Sequence, residues 1–139
     1  MNQPFGWVNK PNGTEDMWPA WGRGRATTWT IKFNAKGSKG EAVLRVALAG
    51  ADGGGGLAVG VNGQAVGTIH PVATNALRYN TDTGVWYQYT QKFDAALLKD
   101  GENSMTLTVP AGDLTIGMVW DYLRLELNDG SAAFPAPPQ

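Results

Sequence analysis

The chain has no cysteine, which excludes a disulfide scaffold as the source of its stability. It also has a single histidine, so the usual ligands of a zinc site are missing. No serine lies in a G-x-S-x-G context and no cysteine nucleophile is available, which argues against a nucleophile triad. Acidic residues such as Asp100 and Glu102 lie in predicted turns rather than as a pair across a cleft. The sequence therefore predicts that the chain is not an enzyme.

Strong charge and long apolar runs are missing too. The formal net charge is −1, so nothing indicates binding to nucleic acid or to an anionic membrane surface. No apolar run approaches the length that crosses a membrane. The first residues contain no basic region followed by an apolar one, which predicts that this chain carries no signal peptide. A module of a larger secreted protein would look the same, and we expect an extracellular, monomeric module.

Turn-forming residues are abundant. The 139 residues include 19 glycines and 8 prolines, and the length suits one domain. This composition, with few helix-like stretches, favours an all-β fold. We predict that residues 1–14 are a lead-in or linker, that residues 15–129 form a β-sandwich, and that residues 130–139 are a proline-rich tail.

Apolar residues recur at every second position in several segments, the pattern of half-buried strands. The predicted inward-facing sets are Trp29, Ile31 and Phe33; Val85, Tyr87, Tyr89, Gln91 and Phe93; Met105, Leu107 and Val109; and Leu123, Leu125 and Leu127. Asn62-Gly63 is typical of a two-residue hairpin turn. The segment D-A-A-L-L-K-D is expected to form at most a single helical turn. We predict a β-sandwich of about eight to ten strands with jelly-roll topology.

A set of motifs carries a family resemblance. The segment D-A-A-L-L-K-D-G-E-N, followed by a strand, a loop and D-Y-L-R-L-E, resembles the C-terminal, jelly-roll, carbohydrate-binding-like module of the family 4 polysaccharide lyases, the rhamnogalacturonan lyases. The segments A-L-A-G-A-D-G-G-G-G-L-A-V-G-V-N-G and N-A-L-R-Y-N-T-D are similar to the same module. The resemblance covers roughly Asp16 to Asn128, and it is specific only as a set.

The resemblance implies a galactose-binding-domain-like jelly roll without catalytic activity, because these lyases perform their chemistry in a separate N-terminal domain. It implies binding of plant cell-wall polysaccharide, specifically pectic rhamnogalacturonan or its galacturonate units. The catalytic domain of a parent lyase is then an expected partner. The alternative is a structural spacer that packs against that catalytic domain and binds no sugar.

The predicted sugar site centres on the long segment that begins at His70 and ends near Gly84, because such connections exceed the usual loop length. The candidate residues are Asn75, Arg78 and Tyr79, with Trp86 and Trp120, and with Trp18, Trp21 and Arg23 as a flanking wall. Aromatic rings stack on pyranose faces, and the arginine fork fits a carboxylate. Alternatively, Arg78 ties the loop down, and the tryptophans near the start of the chain cap one end of the sandwich.

Strand phase predicts where the last strand places its polar residues. If Leu123 and Leu125 face the core, then Trp120, Tyr122 and Arg124 point outward, and Asp121 points inward. A buried carboxylate needs a partner or a metal. The family resemblance implies a structural calcium ion with Asp121 as a ligand and Asp16 and Glu15 as candidate co-ligands. The alternative is that Asp121 pairs with an arginine or accepts from loop amides.

Overall fold

The computed structural model of the chain describes residues 26–52, 55–74, 87–111 and 117–127. The elements within these residues are β1 (Thr27–Ala35), β2 (Glu41–Asp52), β3 (Leu57–Val61), β4 (Gln64–Ile69), β5 (Tyr87–Asp94), a 3₁₀ turn (Ala95–Leu97), β6 (Gly101–Val109) and β7 (Gly117–Leu127). In these ranges there is no α-helix, and no helix is long and apolar enough to cross a membrane. The all-β prediction is confirmed, and the single turn expected in D-A-A-L-L-K-D is present.

The strands form two antiparallel sheets. The four-stranded sheet has the order β1-β6-β3-β4, and the three-stranded sheet has the order β5-β2-β7. Apolar side chains from the two sheets form one buried cluster that includes Leu44, Val46 and Leu107. This arrangement confirms the predicted jelly-roll β-sandwich.

Period-two alternation correctly predicts the inward faces of β1 and β6. In β6, Met105, Leu107 and Val109 are buried, and the residues between them are half-buried. In β1, Trp29 is buried while its neighbours Thr28 and Thr30 are exposed. The two strands pair in continuous register from Thr27↔Val109 to Ala35↔Gly101. Both strands therefore present one apolar face to the core without interruption.

The hairpin between β3 and β4 is fixed by two asparagines. Asn62 and Gly63 have φ angles of 49° and 84°, as the predicted two-residue turn requires. The Asn62 amide donates to the Leu97 carbonyl and to Asn103 Oδ1, both at 2.8 Å. Asn103, which is 1% exposed, donates in turn to the carbonyl oxygens of Lys99 and Gly101. These bonds join the hairpin to the turn before β6, and they satisfy the buried amide of Asn103.

The sandwich has two ends of different character. At one end, which we call the loop end, β1, β3, β5 and β7 begin and β2, β4 and β6 finish. At the opposite end, which we call the turn end, lie the Asn62–Gly63 hairpin and the 3₁₀ turn. A hydrogen bond of 2.8 Å from Ala95 N to Gly40 O closes the three-stranded sheet there. The longest connection, residues 70–86 between β4 and β5, therefore lies at the loop end.

A bulge in β7 overturns the predicted phase of its first half. Ala47 pairs with Tyr122 and Leu48 pairs with Trp120, so Asp121 is an extra residue opposite β2. One extra residue reverses which face each preceding side chain meets. Trp120 consequently packs against the core, and Asp121 is exposed. The predictions that Trp120 faces outward and that Asp121 faces inward are wrong, whereas Leu123 and Leu125 do pack on the core.

Candidate functional site at the loop end

The segments that carry the predicted sugar-binding residues border the described strands at the loop end. The segment that follows β4 leaves from Thr74, and the chain returns at Tyr87. β1 begins at the same end at Thr27, but on the opposite edge of the sandwich, where Trp29 packs against Trp120 of β7. The predicted residues Asn75, Arg78, Tyr79 and Trp86, together with Trp18, Trp21 and Arg23, lie outside the described residues. The described strands therefore bring together the two stems of the long segment, and the positions of the predicted side chains stay a prediction.

The start of the long segment is held against the three-stranded sheet. Thr74 N donates to the Ala51 carbonyl at 2.8 Å, and Ala51 N donates to Thr74 Oγ1 at 3.2 Å. Two residues earlier, Val72 N donates to the Tyr89 hydroxyl at 2.9 Å. Because β2 is the central strand of its sheet, these bonds place Val72 and Thr74 on a rigid support.

Two tyrosines stand beside this anchored segment. Tyr87 and Tyr89 lie on the same face of β5, with ring centroids 6.4 Å apart and planes tilted by 46°. Tyr89 is half-buried against the core, but Tyr87 is 38% exposed. The alternation in β5 correctly predicts the face of both residues. It misses the exposure of Tyr87, because Tyr87 is the first residue of an edge strand and lies beyond the core cluster.

A tryptophan pair bridges the two sheets between their edge strands β1 and β7. The ring centroids of Trp29 and Trp120 are 4.6 Å apart, with an interplanar angle of 55°. Trp29 is 7% exposed, and its indole nitrogen has no hydrogen-bond partner among the described residues. Trp120 packs partly buried against the same core. This geometry assigns the pair to the core rather than to an aromatic platform on the outer face of the sheet.

The outer face of the three-stranded sheet carries a polar bridge over its central strand. Ala47 is the register partner of both Gln88 and Tyr122, and it is completely buried. The Tyr122 hydroxyl donates to Gln88 Oε1 across it. The Gln88 amide nitrogen is buried without a partner in the described part of the chain. Only a small residue at position 47 leaves room for this bridge.

The same face holds a buried ion pair. Arg45 Nε lies 3.0 Å from Glu126 Oε2, and Arg124 Nε lies 3.0 Å from Glu126 Oε1. The side chains of Arg45 and Glu126 are 6% and 9% exposed, whereas that of Arg124 is 62% exposed. Neither Glu126 oxygen has an aligned hydrogen bond within the described residues, so the attraction is mainly that of close opposite charges.

Of the three predicted metal ligands, the structure describes only Asp121. Asp121 lies exposed at the bulge, while Asp16 and Glu15 lie outside the described residues. Within the ranges that the structure describes, no group of three or more His, Cys, Asp or Glu side chains could hold a metal ion. Asp121 is therefore not the buried carboxylate from which the calcium prediction was argued, and that prediction needs other support.

The glycine run between β2 and β3 ends in a close contact. A Cβ at Gly56 would lie 2.5 Å from Thr68 Cγ2 and 3.3 Å from the His70 ring. A side chain at this position would therefore force the Thr68 side chain at the end of β4 to shift. His70 itself is exposed at the loop end.

The described strands thus form an all-β jelly roll whose longest connection, residues 70–86, lies at the loop end. Residues 6–125 match the model of the carbohydrate-binding-module-like family described as polysaccharide lyase family 4, domain III. The chain belongs to this family, which confirms the resemblance carried by its motifs. No curated protein matches the chain.

Solved structures with a similar fold are family 35 carbohydrate-binding modules. The module from Clostridium thermocellum has a TM-score of 0.51 and 24% identity, and the match covers 69% of this chain and 68% of that one. Another, Xyl-CBM35 in complex with a glucuronic acid containing disaccharide, has a TM-score of 0.50 and 19% identity, with 81% and 75% of the two chains covered. These similarities establish the fold.

Proposed function

We propose that this module binds pectic polysaccharide, rhamnogalacturonan or its galacturonate units, and that it does so without catalysis as an accessory to a rhamnogalacturonan lyase. Its membership of domain III of polysaccharide lyase family 4 supports the class of ligand. The observation that supports the location is that the longest connection, residues 70–86, leaves from and returns to the loop end, with its stems at Thr74 and Tyr87 both beside β2. A plant cell-wall ligand and a parent lyase fit an extracellular, monomeric module.

Acidic sugar is the preferred ligand because the segments that leave the loop end contain arginine. The arginine fork can bind a galacturonate carboxylate through two parallel hydrogen bonds. The proposed ligand residues are Asn75, Arg78, Tyr79 and Trp86, with Trp18, Trp21 and Arg23 as the flanking wall. A module of the same fold has been solved with a glucuronic acid containing disaccharide, which is in keeping with an acidic ligand.

One observation favours a structural spacer instead. Trp120 packs partly buried against Trp29 and the core, so less of its ring is open to a sugar than the sequence predicted. A spacer should bury its aromatic residues or cover them against the catalytic domain. The two functions differ in whether the isolated module retains polysaccharide.

Affinity electrophoresis separates these functions. The module should be retarded in gels that contain rhamnogalacturonan or polygalacturonan and should migrate normally in gels that contain neutral xylan or hydroxyethyl cellulose. Arg78→Ala should abolish the retardation at an unchanged melting temperature, since losing a buried charge contact costs about 2–5 kcal/mol of binding. Normal migration of the parent module in every gel would leave the spacer as the function. A melting temperature lowered by several degrees in Arg78→Ala would mark Arg78 as a loop anchor.

A structural calcium ion held by Asp121, with Asp16 and Glu15, is a further part of the proposal. The support is the chemistry of the residues, because calcium takes six to eight oxygen ligands, which carboxylates and loop carbonyls can supply. Excess chelator should lower the melting temperature of the parent module, and it should change that of Asp121→Asn less. A parent melting temperature that does not respond to chelator removes calcium from the proposal.

A further inference from the structure

We propose that Tyr87, supported by Tyr89 and Val72, is a stacking platform for one pyranose ring of the polysaccharide. This inference rests on the proposed carbohydrate-binding function and adds a subsite to it. We refer to these three residues as the tyrosine platform. It lies where the long segment leaves the sheet and returns to it.

The exposure of the platform is unusual for this molecule. Among the described residues, the large apolar side chains that are exposed are Val72 at 55%, Leu127 at 40% and Tyr87 at 38%. Leu127 lies alone at the turn end, where a single exposed apolar side chain needs no explanation. Val72 and Tyr87 instead both lie beside Tyr89 at the loop end, since the Val72 backbone N–H donates to the Tyr89 hydroxyl and the Tyr87 ring is 6.4 Å from the Tyr89 ring. Two exposed apolar side chains around one tyrosine, beside a long connection, are the surface that we assign to the ligand.

The platform is also held in place before any ligand arrives. Tyr87 is paired with Leu48 at the end of the β2–β5 ladder, so its backbone belongs to the sheet. Tyr89 packs against the core, and its hydroxyl accepts a hydrogen bond of 2.9 Å from Val72 N. Little conformational entropy remains to be lost when a ring docks on Tyr87, since tyrosine has only two side-chain torsions.

A sugar ring suits this surface better than a protein partner does. One face of a pyranose carries C–H groups that pack on an aromatic ring, while its hydroxyl groups stay in water or bind neighbouring polar groups. A stable protein interface needs about 800 Å² from each partner, far more than three side chains supply. The platform is also bordered by Thr74, the stem from which the proposed arginine-containing segment departs. A ring on Tyr87 would therefore lie close to the start of that segment.

The test compares Tyr87→Ala and Tyr87→Phe with the matched control Leu127→Ala. Affinity electrophoresis on the polysaccharide that retards the parent module most should show about tenfold weaker retention for Tyr87→Ala. Tyr87→Phe keeps the ring and should bind within about twofold of the parent, and Leu127→Ala should bind like the parent. The melting temperature of each variant is measured alongside, so that a loss of binding in a folded variant is separated from a loss of stability.

Val72→Asp gives a second readout that does not depend on Tyr87. It places a negative charge on the platform, so binding of an acidic polysaccharide should weaken and should recover partly at high salt. If the parent module binds but Tyr87→Ala and Val72→Asp both bind equally well, the platform is overturned and the proposed function stands. If the parent module binds none of the polysaccharides, the proposed function and the platform are overturned together.

Discussion

The outer faces of the two sheets have opposite chemistry. The four-stranded sheet presents hydroxyl groups to solvent, with Thr28 and Thr30 of β1 beside Thr106 and Thr108 of β6. Thr28 Oγ1 and Thr108 Oγ1 are 2.8 Å apart, and the nearby Lys32–Glu102 ion pair has side chains 66% and 65% exposed. This is the ordinary solvated face of an antiparallel sheet.

On the three-stranded sheet the central strand is buried on both faces. All seven residues from Ala42 to Leu48 are buried, including Arg45 and Ala47, which point away from the core. Arg45 is paired with Glu126, and Ala47 lies beneath the Tyr122–Gln88 bridge. This face therefore behaves as a second, polar interior layer.

The comparison indicates why we place the ligand site at the loop end. The outer face of the four-stranded sheet is rich in hydroxyl groups and has no aromatic residue among its described side chains. The other face directs most of its polar groups at each other. Exposed aromatic surface occurs instead at the edge of β5, where Tyr87 stands beside Val72. In this fold the sheets serve mainly as a frame, and the strand ends carry the surface that a ligand could use.

Among substitutions on the two outer faces, the largest loss of stability is expected at Arg45. Arg45→Ala leaves Glu126 buried with Arg124 as its remaining described partner, and removing one member of a buried ion pair costs about 3–5 kcal/mol. The matched change on the solvated face is Lys32→Ala, which should cost at most about 1 kcal/mol. Urea denaturation of both variants measures the difference. Equal losses would show that the outer face of the three-stranded sheet is not an interior layer.

A second prediction concerns the tryptophan that the bulge turns inward. Trp120→Ala should lower the free energy of unfolding by about 3 kcal/mol, because it removes a partly buried ring that contacts Trp29. Thermal and urea unfolding measure the loss, and polysaccharide retention is the second readout. A stable Trp120→Ala variant that loses retention would restore Trp120 to the sugar site.

A third prediction sharpens the comparison with a pair of alanines. Ala47→Leu should cost about 1–3 kcal/mol, because the larger side chain must displace the Tyr122–Gln88 bridge above it. Ala58 lies on the exposed face of the other sheet, paired with Thr108, so Ala58→Leu should change stability by less than about 0.5 kcal/mol. The midpoints of urea unfolding compare the two. A tolerant Ala47 would mean that the bridge is not tightly packed.

The sequence predicts β1 and β6 well because the alternation of apolar and polar residues in these strands is uninterrupted. β1 and β6 keep one register over their whole length, so their phase can be extended from residue to residue. In β7 the same extension fails at Asp121, because nothing in D-Y-L-R-L-E indicates an inserted residue. A bulge is defined by how a strand pairs with its neighbour, and the sequence of one strand does not contain that pairing.

The motifs that reveal the family are largely structural. Asn62 of V-N-G and Asn103 of D-G-E-N bond to each other at the turn end, away from the candidate site. They identify the fold because the hairpin cannot close in the same way without them. They say little about the ligand. Ligand choice depends on side chains in the longer connections, and sequence periodicity does not determine the conformation of those connections.

The smallest expected effect is on the threonine face. Thr28→Val removes the hydroxyl that lies 2.8 Å from Thr108 Oγ1 but keeps a β-branched side chain at an exposed strand position. Because water can replace a lost partner at an exposed site, the free energy of unfolding should fall by less than about 0.5 kcal/mol. The matched change on the other face is Tyr122→Phe, which removes the hydroxyl that reaches Gln88 and should cost about 1 kcal/mol or more. If Thr28→Val costs as much as Tyr122→Phe in the same urea titration, the threonine face is more than a solvated surface.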